Sequence, residues 1–252
     1  MSTDLLATLR REGDLLASMP SSALGAPVPT VPGWTLEHVV RHTGKVHRWA
    51  NALIAAGPGV DAGAIARERA ESLPKGPDCL PAYRESLEMM VATFESVDPE
   101  TAVETFVGPG TASWWLRRQA HEVSVHRIDA ADAVHAAGGP LPEPLDPESA
   151  ADGVAELTDV QFVHRLKTEL LAPESWGKTV HIHGTDVPDL EWTFGLDEAG
   201  VSSTRGHAKA DVALKGRAAD LLLVLCRRRP LDAVTVFGDA RVAECLLETT
   251  RF

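Results

Sequence analysis

Cysteine is scarce in this 252-residue chain. Cys79, Cys226 and Cys245 are far apart, odd in number and contain no CxxC pair. That excludes a disulfide scaffold and a cysteine-rich zinc site, and it fits a reducing cytosol. Cys226 and Cys245 each sit in an aliphatic helix-like run, which suits a buried thiol better than a nucleophile. Long apolar runs are also missing. No stretch reaches the roughly 18 apolar residues of a membrane span. The N-terminal MSTDLLATLRREGDLL carries charge throughout, as an amphipathic helix does and a signal peptide does not. Basic charge is short as well: 24 Lys and Arg face 36 Asp and Glu, for a net charge of −12. This argues against a nucleic-acid partner and against attraction to an anionic membrane. The expectation is a cytoplasmic protein acting on small molecules.

What is present is helical periodicity, followed by a change of pattern. Leu5, Leu6, Leu9, Leu15 and Leu16 recur at helical spacing within 3–18, with Thr3 or Asp4 as the start. A loop dense in Pro, Ser and Gly leads to Gly33-Trp34-Thr35. There Thr35, with acidic Glu37 behind it, suits the start of a second helix over 36–56 that stops at Gly57-Pro58. Residues 57–78 read as surface, with a short helix near 64–71. A third helix spans 80–97 on Tyr83, Leu87, Met90, Val91 and Phe94. Phe106 to Gly110 reads as a turn in an irregular segment. A fourth helix, started by Thr111 or Ser113, runs to about Ala137. Four long amphipathic segments predict a four-helix bundle over 1–139.

Residues 140–147 hold four prolines and read as a linker. Over 148–252 the pattern becomes α+β: a helix over 148–171, then period-two runs at 179–184, 190–196, 201–204 and 210–214. A leucine-rich helix follows over 218–228, a short strand over 234–237, and a closing helix over 239–248. The fold class predicted is α+β, a four-helix bundle followed by a smaller α+β domain with an antiparallel sheet.

The fourth helix carries the chemistry. Glu122 and His126 are four residues apart, so at ~100° per residue they share a face. Leu116, Ala120, Val123 and Ile128 put an apolar stripe near that face, which turns the pair toward the bundle interior. A carboxylate with an imidazole is half of a divalent metal site, and a buried charge needs a partner. His121 points about 140° away from His126 and is a poor co-ligand. The second helix offers His38, His42 and His47. His38 and His42 share a face, and His42 joins the apolar side of Val39, Val46, Trp49 and Leu53, so a three-ligand site is expected. His181 and His183 share one face of a strand-like run. A metal role is possible there, and the expectation is that they face solvent between Val180 and Ile182.

Gly33-Trp34-Thr35, with His42 eight residues after Trp34, and Arg118, Glu122 and His126 on a later helix, resembles the mycothiol-dependent maleylpyruvate isomerase family. Members of that family carry a DinB-like metal-binding four-helix bundle. The tail, with Gly238-Asp239 before a short terminal helix, is similar to the family's C-terminal domain, which resembles sterol carrier protein type 2-like folds. The resemblance implies that His42, Glu122 and His126 are the metal ligands, usually of zinc, and that mycothiol is the cofactor. It implies isomerase or S-transferase chemistry on a small electrophilic substrate, in an actinobacterial-type cytosolic protein, monomer or homodimer. No residue in the sequence singles out maleylpyruvate.

Two imidazoles and a carboxylate leave positions open on a divalent ion for a water or a thiol. Metal binding lowers the pKa of that group, and a thiolate is the competent nucleophile. Arg117, Arg118 and Arg127 are near in sequence, and Arg118 is the candidate for holding a substrate carboxylate. Its competing role is an i,i+4 ion pair with Glu122. Two further readings remain: a hydrolase using zinc-bound water, and a non-enzymatic protein whose C-terminal domain holds a lipid or small apolar ligand.

Overall fold

The computed structural model describes residues 4–68, 73–162 and 171–249. The chain divides into two compact units, Met1–Glu143 and Pro144–Phe252.

The first unit is built on α1 (Leu5–Ala17), α2 (Leu36–Ala56), α4 (Cys79–Ser96) and α5 (Ala112–Ala136), with the short α3 (Ala62–Glu68) between α2 and α4. Helix α1 packs on α5 and α4, and α2 packs on the same two, which closes a four-helix bundle. Local chemistry sets the ends. The Asp4 carboxylate accepts from the Ala7 amide at 2.9 Å and caps α1. Gly57, at φ +79°, ends α2 in a conformation that a side chain resists. The core takes Leu9 and Leu16 from α1, Val39 and Leu53 from α2, Tyr83 and Met90 from α4, and Ala120 and Val123 from α5, as the periodicity predicts; on α5 Trp115 is also fully buried, and Leu116, expected on the apolar stripe, is half-buried. Of the short helix expected near 64–71, residues 69–71 lie outside the described residues.

The irregular segment before α5 is a β-hairpin, β1 (Ala102–Thr105) paired antiparallel with β2 (Gly108–Thr111). Its second strand reads Gly-Pro-Gly-Thr, which has no strand propensity. Tertiary contacts hold it instead. The Trp115 indole donates to the Glu104 carbonyl at 2.9 Å, and the Thr105 hydroxyl donates to the Gly108 carbonyl at 2.7 Å. The hairpin thereby fixes the start of α5, the helix that carries the site.

The second unit opens with α6 (Pro147–Glu156), capped by Asp146 and continued by a π-helical turn at Leu157–Gln161. Residues 163–170 of the helix expected over 148–171 lie outside the described residues. A five-stranded sheet follows: β3 (Lys178–Gly184), β4 (Glu191–Asp197), β5 (Gly200–Arg205), β6 (Val212–Gly216) and β7 (Thr235–Gly238), in the order β5-β4-β3-β6-β7. Every pairing is antiparallel except β3 with β6, which run parallel. The sheet is therefore mixed, because the chain after β5 crosses to the far side of β3 instead of adding a strand at the near edge. Helices α7 (Ala218–Leu225) and α8 (Ala240–Thr249) both pack on β3 and β6. Val180, Ile182, Trp192, Phe194 and Leu214 are buried in this unit, each alternating along its strand with residues of the opposite face.

Candidate metal centre

Trp34 sits just before the α2 cap. Its backbone is pinned on both sides, its carbonyl accepting from Val28 and its amide donating to Val31. His38, one turn into α2, turns back to the cap, with Nδ1 3.1 Å from the Thr35 amide nitrogen, and is spent there. His42, one further turn on, reaches across to α5. His47 lies deeper, its Nδ1 2.7 Å from Gln119 Oε1 in a fully buried position. Burial pushes its pKa down to about 4, against the opposing effects of the Gln119 hydrogen bond and the Glu122 charge.

On α5, Glu122 is the point of convergence. Its Oε1 lies 3.1 Å from His42 Nε2 and 3.3 Å from His126 Nε2. One donor atom from each of the three residues lies within 4.8 Å of the others. The second carboxylate oxygen, Oε2, is held by Arg118 Nη2 at 2.5 Å. Arg118 thus makes the i,i+4 pair with Glu122 and leaves Oε1 to face the imidazoles. The Trp34 indole covers them, its ring centroid 5.0 Å from His42 and stacked 5.9 Å from His126.

Asp129 completes the arrangement. It is fully buried, and its Oδ2 lies 2.9 Å from His126 Nδ1. His126 therefore lies between two carboxylates. Burial alone lowers its pKa, but the charge of Glu122 and the hydrogen bond to Asp129 outweigh it and raise the value to about 9. Burial alone would raise the pKa of Glu122, yet His126 and Arg118 hold that carboxyl well below its ordinary range. The site demands a positive charge between Glu122 and the imidazoles, and a proton or a divalent ion can supply it. With Nδ1 bonded to Asp129, the Nε2 lone pair is oriented for a metal, the carboxylate–histidine arrangement common at zinc sites. The donor set, two imidazoles and one carboxylate, suits zinc with positions left open.

Sequence reasoning gave Asp129 and Trp34 no role. Asp129 had a usable signal, an acid three residues beyond a candidate ligand on the same helix face. Two other readings change. Arg127, near the site in sequence, is engaged elsewhere. It is almost fully buried, and its Nε lies 2.5 Å from Glu12 Oε2 on α1. His181 does not face solvent: it is 4% exposed, on the central strand of the sheet. His121 is buried, and Arg117 is half-buried. Burial pushes Cys79 up to about 11 and also raises Cys245, so neither of these is an activated nucleophile.

Residues 5–131 match the family model described as the mycothiol maleylpyruvate isomerase N-terminal domain, and residues 148–244 match that of its C-terminal domain. A crystal structure of the mycothiol-dependent maleylpyruvate isomerase is similar, with 15% identity, 94% of this chain and 95% of that chain covered, and a TM-score of 0.62. A histidine-to-alanine mutant of that enzyme gives 16% identity, the same coverage and a TM-score of 0.63. At this identity the likeness establishes the fold. A UbiJ-SCP2 ubiquinone synthesis protein covers 43% of the chain at 19% identity with a TM-score of 0.29, and nothing rests on it. No curated protein matches the chain.

Proposed function

The chain belongs to the mycothiol maleylpyruvate isomerase family, and we propose that it is a metal-dependent enzyme that uses mycothiol to isomerise, or to transfer sulfur onto, a small electrophilic substrate. The observation that carries this reading is the convergence of His42 and His126 on one oxygen of Glu122. His42, Glu122 and His126 hold the divalent ion, with zinc the cation that best suits the donors. When bound, that ion lowers the pKa of a thiol, so that a thiolate forms near neutral pH.

The chain's own residues prepare this chemistry. Arg118 fixes the Glu122 carboxylate through Oε2, so that Oε1 stays aimed at the imidazoles. Asp129 fixes the ring orientation of His126. The Trp34 indole shields one side of both imidazoles from water, which strengthens local electrostatics. When bound, mycothiol would supply a thiolate able to add reversibly to a conjugated double bond, which would free the substrate to rotate about that bond. The proposal places this activity in the bundle of 1–139, with 148–252 as the family's C-terminal domain, in the cytoplasm of a cell that makes mycothiol. No helix among the described residues is long and apolar enough to cross a membrane.

The test is turnover of maleylpyruvate with and without mycothiol, by wild type and by His42→Ala. Thiol-dependent turnover, lost in the variant, supports the proposal. Turnover that needs no thiol would instead favour hydrolysis by metal-bound water.

A further inference from the structure

The second unit contains a cluster that the proposed reaction does not use. His181 on β3, Glu191 on β4 and His207 just beyond β5 each bring one donor atom within 4.8 Å of the others. Register explains the meeting. Glu191 pairs with His183 across β3 and β4, and its carbonyl accepts from the Gly206 amide at 2.9 Å, which brings His207 alongside. His181, His183 and Glu191 share the sheet face opposite Val180 and Trp192.

The contacts repeat the logic of the α2–α5 site. Glu191 Oε2 is shared by two imidazoles, 3.1 Å from His207 Nδ1 and 3.7 Å from His181 Nε2. The other oxygen, Oε1, is held by His183 Nδ1 at 2.7 Å. His181 supplies the independent observation. It is 96% buried, and its Nε2, which faces Glu191, has no hydrogen-bond partner. A buried polar atom without a partner is costly unless something fills the position. Burial lowers the pKa of His181, which keeps its imidazole neutral and able to donate a lone pair. A cavity of about 540 Å³, lined by Asp189, Glu191, Arg205, Gly206 and His207, gives access from solvent. The Arg205 guanidinium is turned away, over the Trp192 ring at 5.9 Å on the opposite face.

We propose that His181, Glu191 and His207 form a second divalent-cation site. Its ion belongs to the class that takes imidazole and carboxylate together, with zinc first among these. The site clasps β3, β4 and the end of β5.

The experiment is calorimetric titration of the chelator-stripped full chain with zinc chloride at pH 7.5, for wild type, His42→Ala, His207→Ala and the double variant. His207 is three-quarters exposed, so its replacement leaves the fold intact, which circular dichroism checks. The expected stoichiometries are two for wild type, one for each single variant and none for the double. The proposal stands on the loss of one equivalent in His207→Ala. Equal stoichiometry in wild type and His207→Ala overturns it. Failure of the α2–α5 site would appear separately, as equal stoichiometry in wild type and His42→Ala.

Discussion

His47 makes the bundle sensitive to acid by an amount the structure sets. It is fully buried, and its one hydrogen bond is the 2.7 Å contact with Gln119, while its Nε2 has none. Its pKa falls from 6.5 to about 4 because burial disfavours the charged ring. In the unfolded chain the same ring takes a proton near pH 6.5. Between those values the unfolded state binds a proton that the native state refuses. The stability due to neutral His47 is therefore complete above pH 6.5 and is lost as pH falls toward 4. At about 1.4 kcal/mol per pH unit, the loss between pH 7.5 and 4.5 is about 2.5 kcal/mol. The perturbation is His47→Gln, which removes the titrating group and retains an amide for Gln119. The assay is urea unfolding of both proteins across that pH range, with chelator present so that metal release adds nothing to the slope. Wild type should lose about 2.5 kcal/mol more than the variant, with the difference opening below pH 6.5. Parallel profiles would refute the reasoning, as would a His47 NMR titration near pH 6.5 in the native protein.

Two further outcomes follow from buried charges. Arg127→Met leaves Glu12 buried beside Arg11 and should cost about 3–5 kcal/mol in chemical denaturation, because one member of a buried ion pair is removed. A cost below about 1 kcal/mol would mean that the pair is not desolvated as its burial indicates. Asp129→Asn should keep the fold and weaken zinc binding at the α2–α5 site by roughly 10–100-fold, measured by competition with a chromophoric chelator. Unchanged affinity would show that Asp129 does not orient His126.

The sequence makes local order readable. Helix starts at Asp4 and Thr35 follow from side chains that act within one turn, and the helical cores follow from a repeat of three and four. The meeting of Glu122 with His126 needs only the pitch of one helix. The meeting with His42 needs two helices to pack face to face, and apolar neighbours on both helices supply that information. What escaped notice depends on distant partners. Arg127 finds Glu12 from 115 positions away, so nothing near either residue announces the pair. The Gly-Pro-Gly-Thr strand exists because Val103 is buried and Trp115 grips the hairpin, and its own composition argues against a strand. The buried His181 lies on β3, between β4 and β6. That position depends on the crossing of the chain after β5, which period-two alternation does not encode.

The central claim is that Glu122, with the two imidazoles that meet at its Oε1, holds a metal ion. Elemental analysis of tag-free wild type and Glu122→Ala, purified side by side and reconstituted with zinc, tests it most directly. The account predicts one fewer zinc per chain in the variant. Equal zinc content in the two proteins would contradict it.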